Sequence, residues 1–227
     1  MTFSDDLRAA ADDVWEAQHA HPFVTGIGDG TLALDRFRFW VAQDFRYLID
    51  YARLFALGAA RAPDLATMRR LAELAQETLG TEMDLHRSYA AEFGLTAAEL
   101  EATEPAPTTQ GYVDFLLRTA TVGDFAELLA ALLPCMWGFS EVGQRLAARP
   151  GGPPSDPRYA AWIAMYASDE FAELAAWCRE ITDRAGADAG PATRAAMERA
   201  FVTSSRYELA FWQMAWDRET WPATSPA

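Results

Sequence analysis

Along almost the whole chain, apolar side chains return every three or four residues, and the stretches in which they do so are separated by Gly and Pro. That spacing puts them on one face of an α-helix, while the alternation of a half-buried strand is nearly absent. The pattern predicts an all-α chain. A first helix is expected behind Ser4, whose hydroxyl can cap Asp5-Asp6-Leu7, and it should end before a turn at His19-Ala20-His21-Pro22. Gly26-Ile27-Gly28-Asp29-Gly30 then predicts a tight loop between helices. Asp35 is expected to cap a long helix over 35–61 and Asp64 another over 64–93, with Gly94 as the left-handed residue that closes it. Residues 96–101 add a short helical turn. Beyond the linker 105–107, helices are expected over 110–121, 124–148, 157–184 and 191–218, and Pro157 and Pro191 fall in first turns, where a missing N–H has no partner to lose. No composition shift or internal repeat divides these segments. The simplest architecture is a single-domain bundle of about seven helices, with 219–227 as a flexible tail.

Composition narrows the class. The formal charge is −14 and every basic residue is arginine, so chemistry that needs a lysine amine is excluded. The arginines are scattered singly rather than in a stripe, so neither a phosphate backbone nor an anionic lipid surface is an expected partner. The longest apolar run, 128–136, is too short to cross a bilayer, and the first fifteen residues carry acids where a signal peptide would be basic and then apolar. The expected location is the cytoplasm. There the two cysteines, Cys135 and Cys178, have little reason to pair.

A few residues break the pattern in ways that invite chemistry. The glycines at 26, 28 and 30 follow no strand and lack the spacing of a dinucleotide fingerprint, so they read as a turn. Glu82 and His86 stand four apart on one helix face, a spacing seen in metal sites, but no histidine follows His86 to complete a ligand set. The pair reads as a surface or capping feature, and no metal or other cofactor is expected. Asp44 lies with Tyr47 and Tyr51 on a face otherwise lined by Phe37, Trp40, Leu48 and Leu54. A carboxylate there must either be paired, for instance near Arg46, or be held for a ligand, because burying it alone costs several kcal/mol (order of magnitude). Pro134 stands inside the helix 124–148, where it removes a main-chain hydrogen bond at roughly 3 kcal/mol. Cys135, beside it, is either core or a reactive thiol. Cys178 sits in apolar company that suits a core thiol, and Glu208 lies on an aromatic-rich last helix as either a surface acid or a site acid.

Taken in order, these segments resemble the TenA/thiaminase II family. The likeness runs through His21-Pro22-Phe23-Val24, Gln43-Asp44-Phe45-Arg46-Tyr47-Leu48, Glu82-Met83-Asp84-Leu85-His86 and Tyr112-Val113-Asp114-Phe115-Leu116. Its most diagnostic pieces are Leu133-Pro134-Cys135-Met136-Trp137-Gly138-Phe139 and Ser205-Arg206-Tyr207-Glu208 with Phe211-Trp212. The resemblance implies a haem-oxygenase-like fold and a homotetramer. It also implies cofactor-free hydrolysis of a small molecule, aminomethyl-pyrimidine to hydroxymethyl-pyrimidine and ammonia, with cleavage of thiamin as a related activity. On the same ground Cys135 corresponds to the nucleophile and Glu208 to the acid/base. Asp44 corresponds to the anchor for the ring amino group and its neighbouring nitrogen, Tyr112 and Tyr166 to hydroxyls around substrate and Glu208, and Tyr47 to an aromatic packing position. Where the family usually carries tyrosine, four residues after Cys135, this chain has Phe139, which can stack on a flat ring but cannot hydrogen-bond to it. Two other readings of the same fold are a metal-dependent oxidase, which the lack of later histidines opposes, and a non-catalytic pyrimidine-binding or regulatory protein, which the joint presence of Cys135 and Glu208 opposes.

Overall fold

In a computed structural model, residues 2–92 and 94–222 are described, apart from the side chains of Thr81, Glu82 and Leu85. Among them are twelve α-helices, one π-helical turn and no strand. The helices are α1 (Phe3–Ala10), α2 (Asp12–Ala20), α3 (Pro22–Asp29), α4 (Leu34–Arg61), α5 (Leu65–Glu77), α6 (Met83–Glu92), α7 (Ala97–Glu101), α8 (Pro107–Val122), α9 (Phe125–Ala147), α10 (Pro157–Tyr166), α11 (Asp169–Asp188) and α12 (Pro191–Asp217). The all-α bundle is as the apolar period predicts, but the expected seven helices become twelve because several are broken at points that periodicity cannot see.

The helix ends depart from the expected ones at several points. The first predicted helix splits at Ala11, and its cap is Thr2 rather than Ser4: Thr2 Oγ1 accepts from the N–H of Asp5, while Ser4 is buried and its N–H donates to Asp183 on α11. The glycine stretch expected to be a loop is instead helical, since Pro22 starts α3, the His21 ring caps the N–H of Phe23, and only Gly30 adopts the left-handed turn (φ 71°). Asp35 lies inside the first turn of α4, whose N-cap is Ala33 with no side-chain cap. Asp64 and Gly94 act as expected at helix ends, and Thr96 starts α7 with a capping box to Glu99.

Two further breaks shape the interior. The helix expected over 64–93 is interrupted by a π-helical turn at Thr78–Glu82; a wider turn offsets the face that follows it, and after it Met83, His86, Tyr89 and Ala90 are buried. The helix expected over 157–184 stops at Ala167, and Ser168 caps the start of α11 by accepting from the N–H of Phe171. Gly143 permits this junction to lie against α9, because a side chain there would meet the main chain of Tyr166 at 2.5 Å.

The central element is α9, which packs against α12, α11, α10, α8 and α4. By length and composition alone it would cross a membrane, but 67% of that apolar window is buried against the other helices, as in a core helix. It stays helical through Pro134, which has no N–H to offer the carbonyl of Ala130. The next two carbonyls receive hydroxyls from neighbouring helices: Ser204 donates to Ala131 and Tyr51 to Leu132. Around α9, Trp15, Trp40, Trp162 and Trp212 are each 1% exposed or less. Burial of a large apolar side chain stabilises by roughly 1.5–3 kcal/mol, so this aromatic core supplies much of the drive to fold. Part of the predicted tail is docked on α8, through Glu219 at the N–H of Thr108 and the Trp221 indole at the carbonyl of Pro105; residues 223–227 lie outside the described set.

Candidate active site

Three helices carry these singled-out residues to one place. Asp44, Tyr47 and Tyr51 descend the inner face of α4, Cys135 and Phe139 stand one turn apart on α9, and Tyr166 ends α10. Together with Leu48, Met136 and Phe171 they line a buried cavity. The space among them is about 20 Å³, room for roughly one water molecule. A six-membered ring needs more, so binding one requires these side chains to move. Phe171 and Met136 also line an outer, mainly apolar cavity of about 220 Å³ bounded by Phe55, Leu74, Met165 and Leu174. The two spaces share these two side chains in their linings.

Glu208 and Tyr112 lie next to this cavity rather than on its wall. Glu208 is 3% exposed and Tyr112 1%, so Glu208 is not the surface acid that its neighbours in sequence allowed. Tyr112 Oη lies 2.5 Å from Glu208 Oε1 and 2.8 Å from Ser204 Oγ, one turn before Glu208 on α12. The Tyr112 ring packs on Tyr47, with centroids 5.1 Å apart. Burial, opposed by the Tyr112 contact and assisted by the charge of Asp44, pushes the pKa of Glu208 up from 4.5 to about 8. Such a carboxyl holds its proton near neutrality and can give it up or take it back.

The question raised by Asp44 is answered by His86. The Nε2–H of His86 donates to Asp44 Oδ2 at 2.6 Å, and both residues are buried. His86 is therefore not the surface or capping residue expected from its spacing with Glu82, whose side chain lies outside the described residues. Arg46, the partner considered from sequence, reaches instead to the carbonyl of Glu101. One signal was available: a buried acid needs a donor, and few of the three histidines were free to supply it. Asp44 both lines the cavity and is paired, so the two alternatives are not exclusive.

The remaining features divide cleanly. Phe139 packs among Trp212, Tyr166, Trp162 and Trp40, with its closest ring, Tyr166, 4.9 Å away. The Tyr47 hydroxyl is fully enclosed and has no hydrogen-bond partner. Cys178 is fully buried, and desolvation pushes its thiol up to about 12. Among the described residues the three histidines go to three different places, His86 to Asp44, His21 to Gln213 and His19 to Glu141. Glu16, His19 and Glu141 do converge within 4.8 Å, but Arg8 and Arg145 already pair with both acids.

The helical bundle is haem-oxygenase-like: a domain described as having that fold, from Shewanella denitrificans, superposes with a TM-score of 0.73 over 94% of this chain and 92% of its own at 15% identity. The TENA/THI-4/PQQC family profile matches residues 8–218, and the chain belongs to that family. It is 47% identical to the aminopyrimidine aminohydrolase of Halalkalibacterium halodurans over 97% of this chain and 98% of that one. Among solved structures it is similar to a TenA homologue from Pyrococcus horikoshii OT3, with 33% identity, 96% and 99% coverage of the two chains and a TM-score of 0.87.

Proposed function

We infer that this chain is a hydrolase of thiamin-related aminopyrimidines of the thiaminase II type, converting aminomethyl-pyrimidine and water to hydroxymethyl-pyrimidine and ammonia. The observation that carries the reading is the meeting, around one closed cavity, of a thiol, a paired carboxylate and a carboxyl poised near neutral pH, in a chain 47% identical to an aminopyrimidine aminohydrolase.

The assigned roles follow the chemistry of the groups. The Cys135 thiolate bonds to the electron-poor ring, and the displaced electrons pass through the ring to expel the amine from the exocyclic methylene. Glu208 gives its proton to the departing amine, which leaves as ammonia. Water then adds to the methylene and returns a proton to Glu208, and the electrons pass back through the ring to release the thiolate. Asp44, steadied by His86, accepts from the ring amino group and the adjacent protonated nitrogen. Tyr47, Phe139 and Tyr166 enclose the flat ring, and Tyr112 controls the Glu208 proton. Oxidase chemistry on a metal finds little support in histidines that serve three separate partners.

The chain is further proposed to work in the cytoplasm as a homotetramer. Exposed Leu65, Met68, Leu79 and Val122 are apolar surface that assembly would cover. Light scattering of the purified protein tests the assembly. The activity is tested by following ammonia release from aminomethyl-pyrimidine beside thiazole release from thiamin; hydrolysis of neither would refute it.

A further inference from the structure

Beside the cavity, three short contacts between oxygens run in a row. Glu208 Oε1 is 2.5 Å from Tyr112 Oη, Tyr112 Oη is 2.8 Å from Ser204 Oγ, and Ser204 Oγ is 2.7 Å from the carbonyl oxygen of Ala131. Each contact needs one hydrogen between its two oxygens. A tyrosine and a serine bring one each, and a main-chain carbonyl brings none. With Glu208 as a carboxylate the row is one hydrogen short. Tyr112 must then donate to Glu208, and Ser204 can fill only one of its two contacts, leaving either the Tyr112 or the Ala131 oxygen facing it without a hydrogen. With Glu208 protonated the count closes: the carboxyl donates to Tyr112, Tyr112 to Ser204, and Ser204 to Ala131.

We propose that Ser204 is a positioning residue that keeps the proton on Glu208, by turning the Tyr112 hydroxyl into an acceptor toward the carboxyl. The far end of the row is fixed to α9, four residues before Cys135, so the helix that carries the thiol also anchors the acid. Ser204 is fully buried, and no water is needed to complete the row. The ionisable groups facing Glu208 from the helices around it are Asp44, Tyr47 and Tyr51 on α4 and Tyr112 on α8, with Cys135 on α9 sharing the site and His86 on α6 beyond Asp44. None of the four groups on α4 and α8 is a cation, so the row acts on this proton together with burial and the Asp44 charge, which also keep it on Glu208. The role of Ser204 rests on Glu208 being the acid of the proposed reaction, but the hydrogen count does not.

Two substitutions separate this from a merely structural serine. In Ser204→Ala both Ser204 contacts vanish, so Tyr112 donates to an ionised Glu208 at no loss. The Glu208-controlled limb of the kcat/KM profile should move to lower pH by about one unit, a tenfold change in the ionisation equilibrium. In Tyr112→Phe the carboxylate loses its donor, and the same limb should move to higher pH. Shifts of the same sign, or no shift in Ser204→Ala, would overturn the proposal. A second measurement needs neither turnover nor a Ser204 variant that folds. The infrared carbonyl stretch of a protonated buried carboxyl should be present in the wild-type protein at about pH 6 and absent from Glu208→Gln. Its absence from the wild type overturns the proton assignment whatever the substrate, whereas its presence with no hydrolysis of either pyrimidine would fault the reaction alone.

Discussion

Replacing Glu208 by glutamine should separate the stability of this protein from its chemistry. In the folded chain the carboxyl titrates at about 8, against 4.5 for an ordinary glutamate, chiefly because it is buried. Between those values the folded chain keeps a proton that the unfolded chain has released. Stability from this group is therefore complete below the ordinary value and is lost as pH rises toward the folded value. At 1.36 kcal/mol per pH unit, the loss between about pH 5 and pH 8 is roughly 3–4 kcal/mol. Glutamine has nearly the same shape, has no proton to exchange, and presents an amide N–H that can donate to Tyr112 as the protonated carboxyl does. The other titrating groups are common to both proteins and cancel in the difference. Urea unfolding of wild type and Glu208→Gln at several pH values, at one protein concentration, should show the variant gaining about 3–4 kcal/mol on the wild type across that window. Its turnover of aminomethyl-pyrimidine should meanwhile fall at least ~100-fold, since the acid is gone. A stability difference that does not change with pH would refute the buried, protonated carboxyl, and with it the assignment of Glu208 as the acid.

Cys135→Ser should fold and bind ligand but release ammonia at least ~100-fold more slowly, because a hydroxyl is barely ionised near neutrality, whereas Cys178→Ser, at a residue that does not line the cavity, should remain active; the reverse result would reassign the nucleophile. His86→Ala should lower the unfolding free energy by about 3 kcal/mol, as expected when a buried pair loses one partner, and should raise KM for the aminopyrimidine; an unchanged KM would mean that Asp44 needs no support to bind substrate. Asp44→Asn should raise KM with a smaller effect on Tm, since the amide oxygen can still accept from His86; a rise in Tm with KM unchanged would make Asp44 a structural acid only. Phe139→Tyr should raise kcat/KM for aminomethyl-pyrimidine by up to about tenfold, the worth of one hydrogen bond, with little change on thiamin; lost activity at unchanged Tm would show that the phenylalanine sets the present specificity.

Much of the bundle could be read without coordinates, because its causes are local. The cap at Asp64, the left-handed Gly94, and the first-turn prolines at 157 and 191 act through neighbours a few residues away. Asp44 and Cys135 stood out because each sat where its surroundings made it costly or reactive. The break at Ala167 was not legible because it depends on the approach of α9 at Gly143, and neither the break at Ala11 nor the π turn at Thr78–Glu82 leaves a mark in the apolar period. The helical conformation of residues 22–29 ran against a glycine signal that the Pro22 start and the His21 cap overrode.

The sequence by itself determined that this is an all-helical chain with Asp44, Cys135 and an aromatic set on apolar helix faces, because helical period and the cost of burying charge both act within a few turns, and it left Glu208 open between the surface and a site. Only the tertiary structure decided that Asp44 meets His86 across 42 residues, that Glu208 meets Tyr112 across 96, and that Ser204 reaches the Ala131 carbonyl across 73. Those pairings depend on how four helices cross around α9. Hydrogen-bond geometry is settled within a few tenths of an ångström, and no periodicity along one chain segment carries that information.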